Sequence, residues 1–201
     1  MTSGSGNGRG RPLAASRSSV EQVAIAMMLG DGYEAVSVDA IASAANIGRT
    51  TFFRYFGSKS GVIWGPFDAT IEWLLEALAQ AAPDDPLSAI RSAVITSTRS
   101  ALYSSEVWLE RFQLLDSYPS LRAEAFAHWE RWKSAIAEHV AAAEELDPNS
   151  AVPMAVAGAC QGVFMAELRN WQNSDNERDE ILNRLERSLT DVCEALRTLL
   201  R

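Results

Sequence analysis

Arg49, Thr50, Thr51, Arg54, Tyr55 and Lys59 fall within one short stretch of the chain. Guanidinium, hydroxyl and ammonium groups at this density suit the gripping of phosphate oxygens and base edges. Groupings that would do covalent chemistry are missing. There is no Gly-x-Ser-x-Gly, phosphate loop or dinucleotide fingerprint. Glu124 stands four residues before His128, but no second motif accompanies it, and His139 has no partner at metal-ligand spacing. The sequence therefore predicts recognition rather than catalysis, with no catalytic residue, no metal and no cofactor.

The elements that must present these groups are legible around them. Ser37 can cap a helix in which Val38, Ile41, Ala42 and Ala45 follow helical spacing. Asn46-Ile47-Gly48 interrupts it, and Asn and Gly both tolerate left-handed backbone. A second helix restarts and runs to Phe56. Two short helices across a tight turn form a helix-turn-helix, whose second helix lies in the DNA major groove. Arg49, Thr50 and Thr51 open that helix, the end from which base edges are read. Arg49 suits a bidentate grip on guanine or a phosphate contact. Thr51 suits a phosphate or the helix end. Phe52 and Phe56, four apart, read as core. Arg54 and Tyr55 are expected to face outward. Lys59 is expected to meet phosphate, and Ser37 to share its hydroxyl between its own cap and a phosphate.

Over roughly residues 18–62 the chain resembles the DNA-binding segment of TetR-family transcriptional regulators. Ile41, Ala42, Ala45 and Ile47 lead into Thr51-Phe52-Phe53-Arg54-Tyr55-Phe56, followed by Ser58-Lys59. Asn46 stands where the family usually has Gly. Phe53 stands where it usually has a Tyr that bonds a phosphate, so that contact is absent here or replaced by Tyr55 or Arg54. The run RTTFFRYFGSKSGVIWGPFD is similar to an actinobacterial branch of the family that includes the mycofactocin-system regulator. The resemblance implies a homodimeric, ligand-responsive repressor, released from double-stranded operator DNA by a small apolar or amphipathic effector. The finer resemblance implies acyl-type effectors such as acyl-CoA thioesters.

Composition fits a helical protein with a substantial core: 201 residues, 47% hydrophobic. No unbroken apolar run approaches the ~18–20 residues of a membrane span, and no signal-peptide pattern opens the chain, so a cytoplasmic protein without membrane contact is expected. Cys160 and Cys193 read as reduced, buried thiols. The net charge of −8 is unevenly spread: residues 1–60 hold six basic and four acidic side chains, the remainder 12 and 22. A mildly basic head on an acidic body can present one end to phosphate.

Three regions follow: a Gly/Ser/Arg-rich arm at 1–16, disordered when free; a three-helix DNA-binding head at 17–57; and an effector-binding and dimerisation body of about six helices at 58–201. The predicted fold is all-α. In the arm, Arg9 and Arg11 flank Gly10, a pattern able to slide into an A·T-rich minor groove or simply to solubilise. Ser18 to Glu21 reads as a capping box. A long helix from about Ser58 to Ala82 is expected to kink or break at Gly65-Pro66, and Asp147 is expected to cap the helix after it. Six tryptophans lie beyond the head. Indole rings suit cores and apolar pockets alike. The family resemblance implies a cavity here, with Trp64, Phe67, Trp108, Phe112, Phe126 and Trp129 as lining and Glu110, Arg111 and His128 as polar handles. Ala155, Ala159 and Gly162 form a small-residue stripe, and Leu185, Leu189, Val192 and Leu196 an apolar seam. Both suit close helix packing, and the resemblance assigns them to the dimer interface. The competing readings are a helical adaptor or small-molecule-binding protein without DNA binding, and a helical enzyme.

Overall fold

The computed structural model describes residues 15–81, 85–172 and 177–200, which hold helices and connecting turns and no strand. The helices are α1 (Arg17–Asp31), α2 (Val38–Ala44), α3 (Arg49–Phe56), α4 (Gly61–Ala79), α5 (Pro86–Ser104), α6 (Glu110–Ser117), α7 (Pro119–Glu144), α8 (Ala151–Gln172) and α9 (Arg178–Leu196), with a final 3-10 turn at Arg197–Leu199. Arg9 and Arg11 lie outside the described residues.

Local chemistry sets most helix starts. Ser37 caps α2 by accepting from the Ala40 N–H, and Asp85 caps α5 by accepting from Ser88, with Pro86 in the first turn. Two expected caps are different. Ser16, not Ser18, caps α1 by accepting from the Ser19 N–H, and Glu21 is buried rather than reaching back to the helix end. Asp147 accepts from the Asn149 N–H at 2.8 Å, closing a side-chain turn, and α8 begins only at Ala151.

Helices α1 to α3 pack on one another, and α1 and α3 dock onto α4. The body layers α4 on α5 and α7, α8 on α7, and α9 on α8 and α5. One continuous apolar core runs from Val20 in α1 through Phe52, Ile71, Ile136 and Phe164 to Cys193 in α9. Both cysteines are free and buried.

Helix α4 runs through Pro66 as one helix, so the chain does not break there. Proline has no N–H, so the Val62 carbonyl four residues earlier loses its helical donor. Arg111 supplies one: its Nε donates to that carbonyl at 3.2 Å. The cost of the proline is met by a side chain from another helix.

The seam on α9 is also placed differently. Leu185 and Leu189 are buried inside their own protomer, where α9 packs on α5 and α8. They cannot also face a second subunit. Val192 and Leu196 are half-buried. On α8, Ala155 and Gly162 are exposed and Ala159 half-exposed. A Cβ added at Gly158 or Gly162 would meet nothing within 4 Å. Among the described residues α8 alone is long and apolar enough to cross a membrane by length and composition; 33% of that apolar window is buried in the protomer.

Candidate nucleic-acid interface and effector region

The turn between α2 and α3 depends on Asn46, which takes a left-handed backbone at φ 53° while the Ile47 N–H bonds the Ala42 carbonyl at 2.9 Å. Asn bears that conformation at low cost, which explains its use where glycine is usual. Phe52 and Phe56 then seal α3 to the head, their ring centroids 5.1 Å apart. The opposite face of α3 is left open: Arg49, Thr50, Phe53 and Arg54 are exposed, with Thr51 at its edge.

Arg49 grips Asp39 of α2 through Nη1, at 2.7 and 2.8 Å from the two carboxylate oxygens, and its guanidinium lies 5.3 Å from the Phe53 ring centroid. The Phe53 ring thus carries Arg49 along the outer edge of the helix. Sequence reasoning counted Phe53 only as a lost tyrosine; the i, i+4 spacing to Arg49 was the signal for this pairing.

Tyr55 and Lys59 turn away from the expected outward position. Tyr55 is half-buried and its hydroxyl donates to the Ala15 carbonyl at 3.2 Å, tying α3 to the segment that precedes α1. The Lys59 ammonium donates to the carbonyls of Tyr33 at 2.8 Å and Val36 at 3.1 Å, and lies 4.2 Å from the Tyr33 ring centroid. It holds the loop between α1 and α2 in place. The Ser37 hydroxyl oxygen accepts from Ala40 at 3.1 Å.

Head and body meet at two polar joints. Glu21 of α1 and Arg111 of α6 form an ion pair, Arg111 being 2% exposed. Arg111 also donates to the Val107 carbonyl at 2.7 Å, and Ser105 donates to Glu21 at 3.0 Å. Burial lowers the Arg111 pKa from its ordinary value, and the Glu21 carboxylate opposes that shift. Arg111 is therefore committed to the joint and is no polar handle for a ligand. At the second joint Gly32, at φ 94°, lets the Tyr118 hydroxyl approach where a Cβ would stand 2.9 Å away.

In the body, Trp64, Phe67, Trp108, Phe112 and Trp129 do come together. Phe67 lies 5.9 Å from Trp64, 6.3 Å from Phe112 and 4.6 Å from Trp129, and Phe112 lies 5.0 Å from Trp108. Phe126 does not join them: it is 71% exposed, on the outer side of α7. The void beside Trp108 and Phe164 measures about 10 Å³, room for no more than one water. His128 stacks on Trp64 at 4.3 Å, and its Nδ1 lies 2.7 Å from an Asp68 carboxylate oxygen. The Trp64 indole N–H is buried without an acceptor.

Comparison with known proteins matches this arrangement. Residues 22–63 match the pattern described as bacterial regulatory proteins, tetR family, and residues 84–197 that described as MftR C-terminal domain. The chain is 29% identical over 171 residues to MftR of Mycobacterium tuberculosis, named as a mycofactocin biosynthesis transcriptional regulator, covering 83% of this chain and 85% of that protein. It is also 29% identical over 171 residues to the HTH-type transcriptional regulator TcmR of Streptomyces glaucescens, covering 81% and 76%. Thermus thermophilus FadR, a TetR-family repressor in complex with lauroyl-CoA, shares the fold at a TM-score of 0.54 and 21% identity, over 87% of this chain and 92% of that one. The chain belongs to the TetR family of DNA-binding transcriptional regulators, with a C-terminal domain of the MftR type.

Proposed function

We propose that the protein is a cytoplasmic repressor that grips a two-fold operator as a homodimer and lets go when a small apolar or amphipathic molecule enters its body. The observation that carries the reading is the open face of α3, where Arg49, Thr50 and Arg54 are exposed while Phe52 and Phe56 anchor the helix from behind. Residues 17–57 serve as the head and 58–201 as the body. Arg49 reads a base or a phosphate; Thr50, Thr51 and Arg54 bond phosphate. Ser37, Tyr55 and Lys59 shape the head for that contact. Arg9 and Arg11 extend the contact into the minor groove.

The dimer forms through the small-residue face of α8, Ala155, Ala159 and Gly162, with Val192 and Leu196 beside it. A single head reads too few base pairs to be selective, and two-fold symmetry doubles the site. The effector separates the packed rings of Trp64, Phe67, Trp108, Phe112 and Trp129. An oxygen on it would satisfy the orphan Trp64 N–H, and the lauroyl-CoA held by the Thermus relative supports an amphipathic shape. Helix α4, fixed to both the head and the aromatic cluster, passes the displacement on.

Capture of bound fragments across the genome tests this. The expected result is a shared two-fold sequence with half-site centres about 34–36 Å apart or a multiple of that. Recovery of no sequence above background would overturn it.

A further inference from the structure

Asp39 is the sole acidic side chain in α2 and α3, and its side chain is 67% exposed. A carboxylate on a surface that meets DNA repels phosphate. Its charge does suit the first turn of α2. That does not account for its hold on Arg49, across the turn in α3.

Arg49 commits only one nitrogen to this pair. Its Nη1 meets both carboxylate oxygens, at 2.7 and 2.8 Å, while Nε and Nη2 have no acceptor among the described residues. Neighbouring N–H groups of this kind are what guanine O6 and N7 accept from. The guanidinium also lies 5.3 Å from the Phe53 ring centroid. Phe53 in turn meets the buried Phe52 edge-on, the two centroids 5.8 Å apart. Phe53 is nevertheless 39% exposed, a large apolar ring on the open face of the recognition helix. The apolar group that the major groove offers such a ring is the thymine methyl.

We propose that Asp39 is a specificity-determining residue that holds Arg49 for guanine and away from phosphate, while Phe53 takes the methyl of a thymine one or two steps from that guanine. A guanidinium already bonded to a carboxylate is partly neutralised, so it gains less from a phosphate oxygen anywhere on the duplex. Guanine accepts from the remaining donors without displacing Asp39. The acid therefore lowers affinity for arbitrary sequence more than for the operator, and discrimination widens. The step count follows from reach: guanidinium and ring are 5.3 Å apart, and successive bases about 3.4 Å. The inference rests on the operator reading above, and supplies the bases that α3 reads.

The test uses the full-length protein with a captured operator fragment and its scrambled counterpart, by fluorescence anisotropy over about 50 to 200 mM salt. Asp39→Asn should raise affinity for the scrambled fragment about three- to tenfold and steepen its salt slope by about one per head. Operator affinity should rise less or fall, so the preference shrinks. A carboxylate that served only the end of α2 would instead lower the thermal transition and leave the preference unchanged. Base analogues read the same contacts directly. 7-Deazaguanine lacks the N7 acceptor; placed at one guanine at a time, it should weaken the wild type at least about fivefold at one guanine per half-site, and less in Asp39→Asn. Deoxyuridine lacks the thymine methyl; it should weaken the wild type about two- to fivefold at a thymine one or two steps away, and not in Phe53→Ala. An unchanged or larger preference in Asp39→Asn, no guanine sensitive to the analogue, or a uracil penalty that is absent or survives Phe53→Ala would overturn the proposal. A wild type that still prefers its own fragment in those cases leaves the operator reading standing; a wild type without preference ends both.

Discussion

Glu21 in the DNA head and Arg111 in the body face each other across a joint closed to water, 6% and 2% exposed. Arg111 lies in that joint partly because Pro66 frees the Val62 carbonyl for it. One guanidinium thus holds α1, α4 and the turn before α6 together. Removing one partner leaves a buried charge unanswered. Glu21→Gln or Arg111→Met should therefore cost about 3–5 kcal/mol in urea unfolding. Glu21→Leu with Arg111→Met should recover much of the loss, since a buried pair replaced by apolar groups is often close to neutral. A double variant no more stable than the singles would mean that the joint is set by packing.

Arg49 and Lys59 should separate in their effects. The Arg49–Asp39 pair is exposed, so Arg49→Ala should change stability by less than about 1 kcal/mol. If Arg49 reads guanine, it should cost operator binding about 1–3 kcal/mol and relax preference at one position per half-site. Lys59→Met strips the Tyr33 and Val36 carbonyls of their donor and should destabilise the head by about 1–3 kcal/mol. Calorimetry beside binding curves on operator and random DNA distinguishes the two.

Gly162→Glu should split assembly from folding. Nothing lies within 4 Å of the new Cβ, so the protomer accepts the side chain. Replacing a helix-interior glycine should even favour α8, by up to about 1 kcal/mol. In sedimentation the wild type should be dimeric and the variant monomeric at micromolar concentration. A dimer unchanged by the substitution would move the interface off this face of α8.

Trp129→Ala removes a ring that packs on Phe67, Trp132 and Phe164, and should cost about 3–5 kcal/mol. Phe126→Ala, at an exposed site on the same helix, should stay within about 0.5 kcal/mol. Thermal unfolding of the pair checks that the aromatic cluster is closed packing while no ligand is bound.

The helix-turn-helix was legible because its signals are local. The Ser37 cap, the left-handed Asn46 and the Phe52–Phe56 pair all act within a few residues of themselves. What sequence reading misplaced depends on distant partners. Glu21 looks like half of a capping box until Arg111 claims it from α6. Lys59 looks free for phosphate until the carbonyls of Tyr33 and Val36 fold beneath it. The α9 seam reads the same whether its leucines meet their own protomer or another, and Leu185 and Leu189 meet their own. Phe126 shares a composition with the pocket candidates but not their side of α7.

Operator recognition by α3 is most directly tested by fluorescence anisotropy with a captured DNA fragment and a scrambled one, from 50 to 200 mM salt (about the range where counterion release is read). The wild type should bind its fragment at least about a thousandfold more tightly than the scrambled one, with log affinity falling linearly in log salt. Arg49→Ala should lose part of that preference. Equal affinity for both fragments, or no salt-dependent binding to either, would contradict operator recognition by this helix.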